Sequence, residues 1–326
     1  MQSAGMPAPV RVGTAPAERS RTGGEIMPKV GIVTRTKDRP ATLARALHSA
    51  LGQTFDDWNM ALVNDGGDAD ALEAYLDREA AAIRNRLVLV HHDTSQGRCA
   101  AANADIDALD SDFVVLLDDD DSWAPGFLAA TVRALSEAPR QIAGVCTRAI
   151  EVFEVVEGEV VRIKRRQPFN PELSAIGIAT MAQANLIIPN TFLYRRCLHE
   201  ELGYYDESLP VLEDWDFYLR IIRHYDIRLL EEALAFWHKR EAARESRYAN
   251  SVIGAVDIHR ETDAFIRNRY LRRDMDAGVI GMGTLMALGR QSMRVDEIVQ
   301  VGLRRSGLGR LRRLAAGLGF ARGSGR

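Results

Sequence analysis

Cysteine is scarce. Cys99, Cys146 and Cys197 are the only three in 326 residues, far apart and without metal-ligand spacing. That argues against a disulfide framework and for a reducing compartment. Long apolar runs are missing too, and nothing approaches the ~20 residues that cross a bilayer. Neither charge is in large surplus: 42 Lys and Arg against 45 Asp and Glu leave a net charge of -3. A chain without a basic surplus is not built for general nucleic-acid binding. No internal repeat is visible, and no G-x-G-x-x-G follows the first strand-like segment, so a Rossmann dinucleotide site is not expected. What remains is an ordinary soluble composition, 46% hydrophobic and 27% charged, with room for one large domain and an appendage.

One stretch stands out. Phe113-Val114-Val115-Leu116-Leu117 is apolar and strand-sized, and it runs straight into Asp118, Asp119, Asp120 and Asp121, then Ser122, Trp123 and Pro125. Four adjacent carboxylates repel one another, and a divalent cation carrying a phosphorylated ligand is the strongest reason to hold them together at a strand end. The plain alternative is a solvated acidic loop.

The first half of the chain alternates short apolar strands with helices. Val30 to Thr34, Met60 to Val63 and Leu87 to Val90 read as strands. Helices are expected after Pro40, with Leu43, Ala46, Leu47, Ala50 and Leu51 on one face, over 69–82 and over 99–109. Continuously apolar strands separated by helices predict a mostly parallel sheet covered on both faces, with ligands outside the carboxyl ends of the strands. Those ends carry Thr36, Asp65, the 91–98 loop and the aspartates. From Ile142 the pattern changes. A hairpin is expected around Glu157-Gly158, a strand over 186–196 broken by Pro189, a helix from Glu213, and a short strand over 227–230.

Residues 1–27 read as a disordered leader, 28–257 as the main domain and 258–326 as a helical extension. The extension ends in a basic amphipathic segment, 303–320, which can lie on an anionic membrane surface or serve as a solvated terminal helix.

Several segments in this order resemble family 2 glycosyltransferases of the GT-A fold. They are Pro28-Lys29-Val30 through Arg39-Pro40, Ser49-Ala50-Leu51-Gly52-Gln53-Thr54-Phe55 and Val63-Asn64-Asp65-Gly66-Gly67. The aspartate run follows, then Leu202-Gly203-Tyr204-Tyr205-Asp206-Glu207 and Leu212-Glu213-Asp214-Trp215. The resemblance covers about residues 28 to 240. It implies a Rossmann-like sheet and inverting transfer of a sugar from a UDP-, GDP- or dTDP-sugar, with Mn²⁺ or Mg²⁺. The acceptor would be a glycan, a lipid-linked or a small-molecule hydroxyl. Thr36 and Asp65 match donor-nucleotide positions, with Asp65 at the base. Asp118 and Asp120 match the D-x-D that serves metal and donor, with Asp119 and Asp121 as neighbours whose roles could be exchanged with theirs and Asp119 as a further donor contact. Asp214 matches the general base, and His238 stands where some metal-dependent members place a further metal ligand. An arginine common in the family is replaced at Ala102, and Arg98 is the cation in the same loop. Arg35 and Lys37 replace a proline and an aromatic residue in the first loop.

The chemistry suits these residue types. A leaving diphosphate needs a hard cation, and residues two apart on an extended segment point the same way, so Asp118 and Asp120 could share one. The acceptor hydroxyl must lose a proton, and a carboxylate in a first helical turn can take it. Trp215 is open between sugar stacking and core, while Trp123 is expected to be structural. A rival reading is a nucleotidyltransferase, which lacks a need for Asp214 and usually carries a glycine- and lysine-containing phosphate loop absent here. A second rival is a non-catalytic nucleotide-sugar-binding protein. The expected location is cytoplasmic, with the basic tail as a peripheral contact at the inner membrane face.

Overall fold

The computed structural model describes residues 29–157, 160–240 and 256–283, together with 286 and 288. The leader and the basic tail lie outside the described residues. By contact the chain divides into two units, 1–262 and 263–326, and the boundary falls within the helix Val256–Asp276. Among the described residues no helix is long and apolar enough to cross a membrane.

The first unit is built on one sheet. β1 (Val30–Thr36), β2 (Trp58–Asp65), β3 (Leu87–His92) and β4 (Phe113–Leu116) pair in parallel in the order β3-β2-β1-β4. Beyond β4 the pairing becomes mixed. β8 (Phe192–Arg195) is antiparallel to β4 and to β6 (Ile142–Glu157), β6 is parallel to β9 (Asp226–Lys239), and β5 (Ser122–Trp123) caps the edge of β9. β7 (Val160–Pro168) folds back on β6 as the expected hairpin. The sheet is thus parallel where strands alternate with helices and mixed in the second half.

Helix α1 (Pro40–Leu51) opens on its proline and buries Leu43, Ala46, Leu47 and Ala50, so the apolar spacing in the sequence became the packed stripe. Gln53 follows it. Its amide donates to the Ser49 and Ala124 carbonyls, and its oxygen accepts the N–H of Leu128 in α4 (Phe127–Ser136). Three bonds from one buried side chain join the two helices that flank the acidic turn.

Other boundaries moved. α2 (Ala69–Glu79) stops short of the expected end, and a 3₁₀ turn over Ala81–Arg86 follows it. α3 starts at Arg98 and ends at Ala108. β9 is far longer than the expected 227–230 because β6 runs beside it for most of its length, with register shifts near Ala143, Thr147 and Arg148. Glu231 and Glu232 split its apolar residues into Ile227–Leu230 and Ala233–Trp237, so the sequence marked only the first piece as a strand. Three short helical pieces follow β7: α5 (Ile178–Gln183), a 3₁₀ turn at Pro189–Thr191 and α6 (Leu198–Leu202). α7 (Glu213–Ile222) then carries the second acidic motif.

Candidate active site

Parallel pairing brings the carboxyl ends of β1, β2 and β4 to one edge. Thr36 lies opposite Asn64, Asp65 opposite His92, and the N–H of Leu117 continues the ladder onto Val33. The chain then turns. The N–H of Asp121 donates to the carbonyl of Asp118 at 3.0 Å, closing a β-turn over 118–121. The expected extended segment is absent, and the four carboxylates fan out instead of alternating.

Each one meets a different partner. Asp118 accepts from the Arg35 guanidinium at 2.6 Å and 3.2 Å. Burial would raise its pKa, but Arg35 and Arg98 outweigh that and hold it at about 2. Asp119 is fully buried between the Thr36 hydroxyl, 2.7 Å away, and Arg39. Burial pushes it up to about 6. The hydroxyl of Thr36 is therefore committed to Asp119, and both expected donor contacts become part of the wall behind the turn. Asp120 pairs with Arg39 and with the buried Arg240. Asp121 accepts the backbone N–H of His238 at 3.0 Å, and burial raises its pKa well above the carboxylate range.

Asp65, expected at the nucleobase, is fully engaged within the protein. Its carboxylate meets Ser95 Oγ at 2.6 Å, the N–H groups of Gln96 and Gly97 at 2.7 Å and 3.1 Å, and His92 Nδ1 at 2.9 Å. Those contacts outweigh burial and lower its pKa. A carboxylate has about four acceptor positions, and all four are used. The structure gives Asp65 the role of anchoring the loop between β3 and α3. Gly66 belongs to the same device: it has φ +74, and a Cβ there would lie 2.3 Å from the Ser95 nitrogen.

His238 is 4% exposed and has both ring nitrogens bonded, Nδ1 to Glu154 at 2.8 Å and Nε2 to Ser122 at 2.9 Å. Burial lowers its pKa, so the ring is neutral. Glu154 is held at about 2, since His238 and Arg45 outweigh its burial. The ring proton therefore sits on Nδ1, facing that carboxylate, and Nε2 accepts the Ser122 hydroxyl. This arrangement makes His238 a member of a buried network with Glu154, Arg45 and Arg240.

The second acidic motif joins the first through arginine. Leu212, at φ 61, turns the chain into α7 in a left-handed conformation that a branched apolar residue rarely takes. Glu213, Asp214 and Asp216 then occupy the first turn, where the helix dipole favours acids. Buried Glu213 accepts from Arg35 Nη1 at 3.1 Å and lies 3.5 Å from the half-exposed Arg98, and the two cations lower its pKa against burial. Asp214 beside it is partly exposed and accepts from Asn185 Nδ2 at 2.8 Å. Burial and Glu213 push its carboxyl up to about 6. Trp215 is 1% exposed and donates to the Met181 carbonyl, so it is core and does not stack on a sugar. Trp123 is also core, stacked on Phe127 and bonded to the Asn190 carbonyl.

Among the described residues no three metal-ligating side chains gather closely enough to enclose an ion. Oxygen donors of this kind suit a hard cation, and Asp118 and Asp120, each already paired with arginine, would need a diphosphate to complete its shell. Arg39, Arg45, Glu154, Arg240 and Asn185 escaped the sequence reading.

An open mixed sheet with acidic motifs at its carboxyl edge is the GT-A architecture. The family described as "Glycosyl transferase family 2" matches residues 31–203, more than half of the chain, and the chain belongs to that family. It is a glycosyltransferase, which sets aside the nucleotidyltransferase and non-catalytic alternatives. It is 27% identical over 206 residues to the uncharacterized glycosyltransferase YwdF of Bacillus subtilis (strain 168), covering 61% of this chain and 70% of the relative. It is 26% identical over 213 residues to the putative colanic acid biosynthesis glycosyl transferase WcaA of Escherichia coli (strain K12), covering 65% and 72%. The mannosyltransferase PcManGT from Pyrobaculum calidifontis, solved with GDP-Man and Mn2+, aligns over 82% of this chain and 80% of its own. Its TM-score is 0.51 at 17% identity, a likeness of fold.

Proposed function

We propose that this glycosyltransferase moves a sugar, with inversion, from a nucleoside diphosphate sugar to an acceptor hydroxyl, with Asp214 as general base. One observation carries the reading: a partly exposed carboxylate at a helix N-terminus, raised to about 6, is linked through Glu213 and Arg35 to the Asp118 turn. A base with a pKa near the working pH is both ionised and strong enough to take a proton. A single carboxylate that deprotonates the attacking hydroxyl implies one displacement, and so inversion at the anomeric carbon.

Asp118 and Asp120 would hold Mn²⁺ or Mg²⁺ jointly with the donor diphosphate; when bound, the ion supplies the positive charge that the leaving diphosphate needs. Arg98, half-exposed at the start of α3, would face the same phosphates. Arg35 fixes Asp118 and Glu213 relative to each other, which sets donor and base in one frame. The GDP-Man and Mn2+ bound by the mannosyltransferase neighbour support the donor class. The name of the WcaA relative supports an acceptor in polysaccharide or other glycoconjugate synthesis. A cytoplasmic site of action is part of the reading.

The test is transfer and hydrolysis with UDP-glucose, UDP-GlcNAc, GDP-mannose and dTDP-rhamnose, each with Mn²⁺, Mg²⁺ or EDTA, and product anomer read by NMR. Asp214→Asn is expected to bind donor as the parent does and to lose turnover by about 10²–10⁴-fold. Transfer at the parent rate, or retention at the anomeric carbon, would overturn the mechanism.

A further inference from the structure

We propose that Asn185 is the positioning residue for the Asp214 base, holding one oxygen of its carboxylate. This rests on the reading of Asp214 given above. Asn185 Nδ2 donates to Asp214 Oδ2 at 2.8 Å, while its own carbonyl oxygen accepts the N–H of Ile187 at 3.3 Å. The amide is therefore oriented from its own loop before it meets the carboxylate. The loop is tied down again one residue along the helix: Trp215 Nε1 donates to the Met181 carbonyl at 2.8 Å, with Met181 and Trp215 both buried. Two bonds thus join α5 and the segment after it to the first turn of α7. Asn185 comes from the part of the chain that follows the nucleotide-binding half, so the base is oriented by a different segment from the one that holds the donor.

A neutral donor suits this place. A cation would pull the pKa of the base down, and a second carboxylate would push it further up. The charged and titratable groups facing Asp214 are Glu213 and Tyr218 on its own helix and Arg98 at the start of α3, with Arg35 of β1 acting through Glu213. Burial and Glu213 raise the Asp214 pKa, while Asn185, the Trp215 backbone and Arg98 lower it. Removing the Asn185 amide therefore raises the pKa.

Two measurements test the assignment. In protein labelled with ¹³C-carboxyl aspartate, the Asp214 resonance is identified by its loss in Asp214→Asn. Its titration midpoint is expected to rise by about half a unit or more in Asn185→Leu and further in Asn185→Asp, and to stay near that of the parent in Asn185→Gln. With the four nucleotide sugars above, kcat of Asn185→Leu is expected to fall about 10- to 100-fold, with donor KM and thermal midpoint unchanged. The acid limb of its pH profile moves with the NMR midpoint. An unmoved midpoint and limb in Asn185→Leu would overturn the positioning role even if Asp214→Asn is inactive. An active Asp214→Asn would instead overturn the base assignment, so the two failures are distinguishable.

Discussion

Arg35 Nη1 lies 3.1 Å from Glu213 Oε1, 178 residues away in sequence, and the same guanidinium grips Asp118 at 2.6 Å. One buried cation therefore spans the two acidic motifs. Removing it would leave Asp118 and Glu213 with the half-exposed Arg98 as their nearest remaining shared cation, and breaking a buried pair from one side costs about 3–5 kcal/mol. Arg35→Leu is expected to lose stability of that order in urea unfolding. Arg35→Lys should recover part of it, since an ammonium cannot serve both carboxylates with the fork of a guanidinium. Unfolding at the parent midpoint for both variants would show that the bridge is dispensable.

The cation site makes a separate prediction. Asp120 already holds Arg39 and Arg240, and among the described residues no cage of three ligands exists. Mn²⁺ followed by EPR is therefore expected to bind weakly alone and at least about tenfold more tightly with UDP or GDP present, because phosphate oxygens complete the shell. Asp120→Ala should lose the gain. Tight binding without nucleotide would contradict shared ligation.

His199 carries an acid-stability signature. It stacks on Phe217 at 4.5 Å and bonds Tyr194, and burial lowers its pKa to about 3. A folded pKa below the unfolded value of about 6.5 means that stability is complete above that value and is lost as pH falls towards 3. His199→Gln, which keeps a partner for Tyr194, should lose less between pH 6.5 and 3. Parallel pH profiles of thermal midpoint for the two proteins would refute it.

Asp105 has the opposite sign. It is fully buried in α3, and burial raises its carboxyl well above the usual range, offset only in part by Arg35 and the Thr34 and Val63 backbone. Stability from this group is greatest below the unfolded pKa of about 3.9 and declines as pH rises above it. Asp105→Asn should gain about 1 kcal/mol at pH 8, or roughly 2–4 °C in a chain of this size, and little at pH 4. An equal shift at both pH values would place the effect outside the titration.

Much of the parallel half was legible. Val30 to Thr34, Met60 to Val63 and the strand before Asp118 are apolar on both faces because helices cover both, and such runs are visible in one dimension. β9 was not legible as one strand, since the exposed Glu231 and Glu232 interrupt its apolar pattern and only pairing along β6 carries the strand through them. Within the site, the pairing of the aspartate run with the Asp214 motif was anticipated, and Arg35 joins the two through Asp118 and Glu213. The diversion of Thr36, Asp65, Asp119 and His238 into protein contacts was not, because hydrogen-bond saturation depends on neighbours brought from distant segments.

The order of the acidic and glycine-bearing segments was enough to establish the family, the strand-and-helix alternation and the presence of a carboxylate at Asp214. Folding decided what those carboxylates face. A β-turn replaced the extended D-x-D, arginines from β1, the residue before α1 and the residue after β9 took up its charges, and Asn185 reached Asp214 across 29 residues. The reason is physical: a residue type follows from the chain alone, whereas the pKa and orientation of a buried charge are set by whatever the fold places within a few ångströms of it.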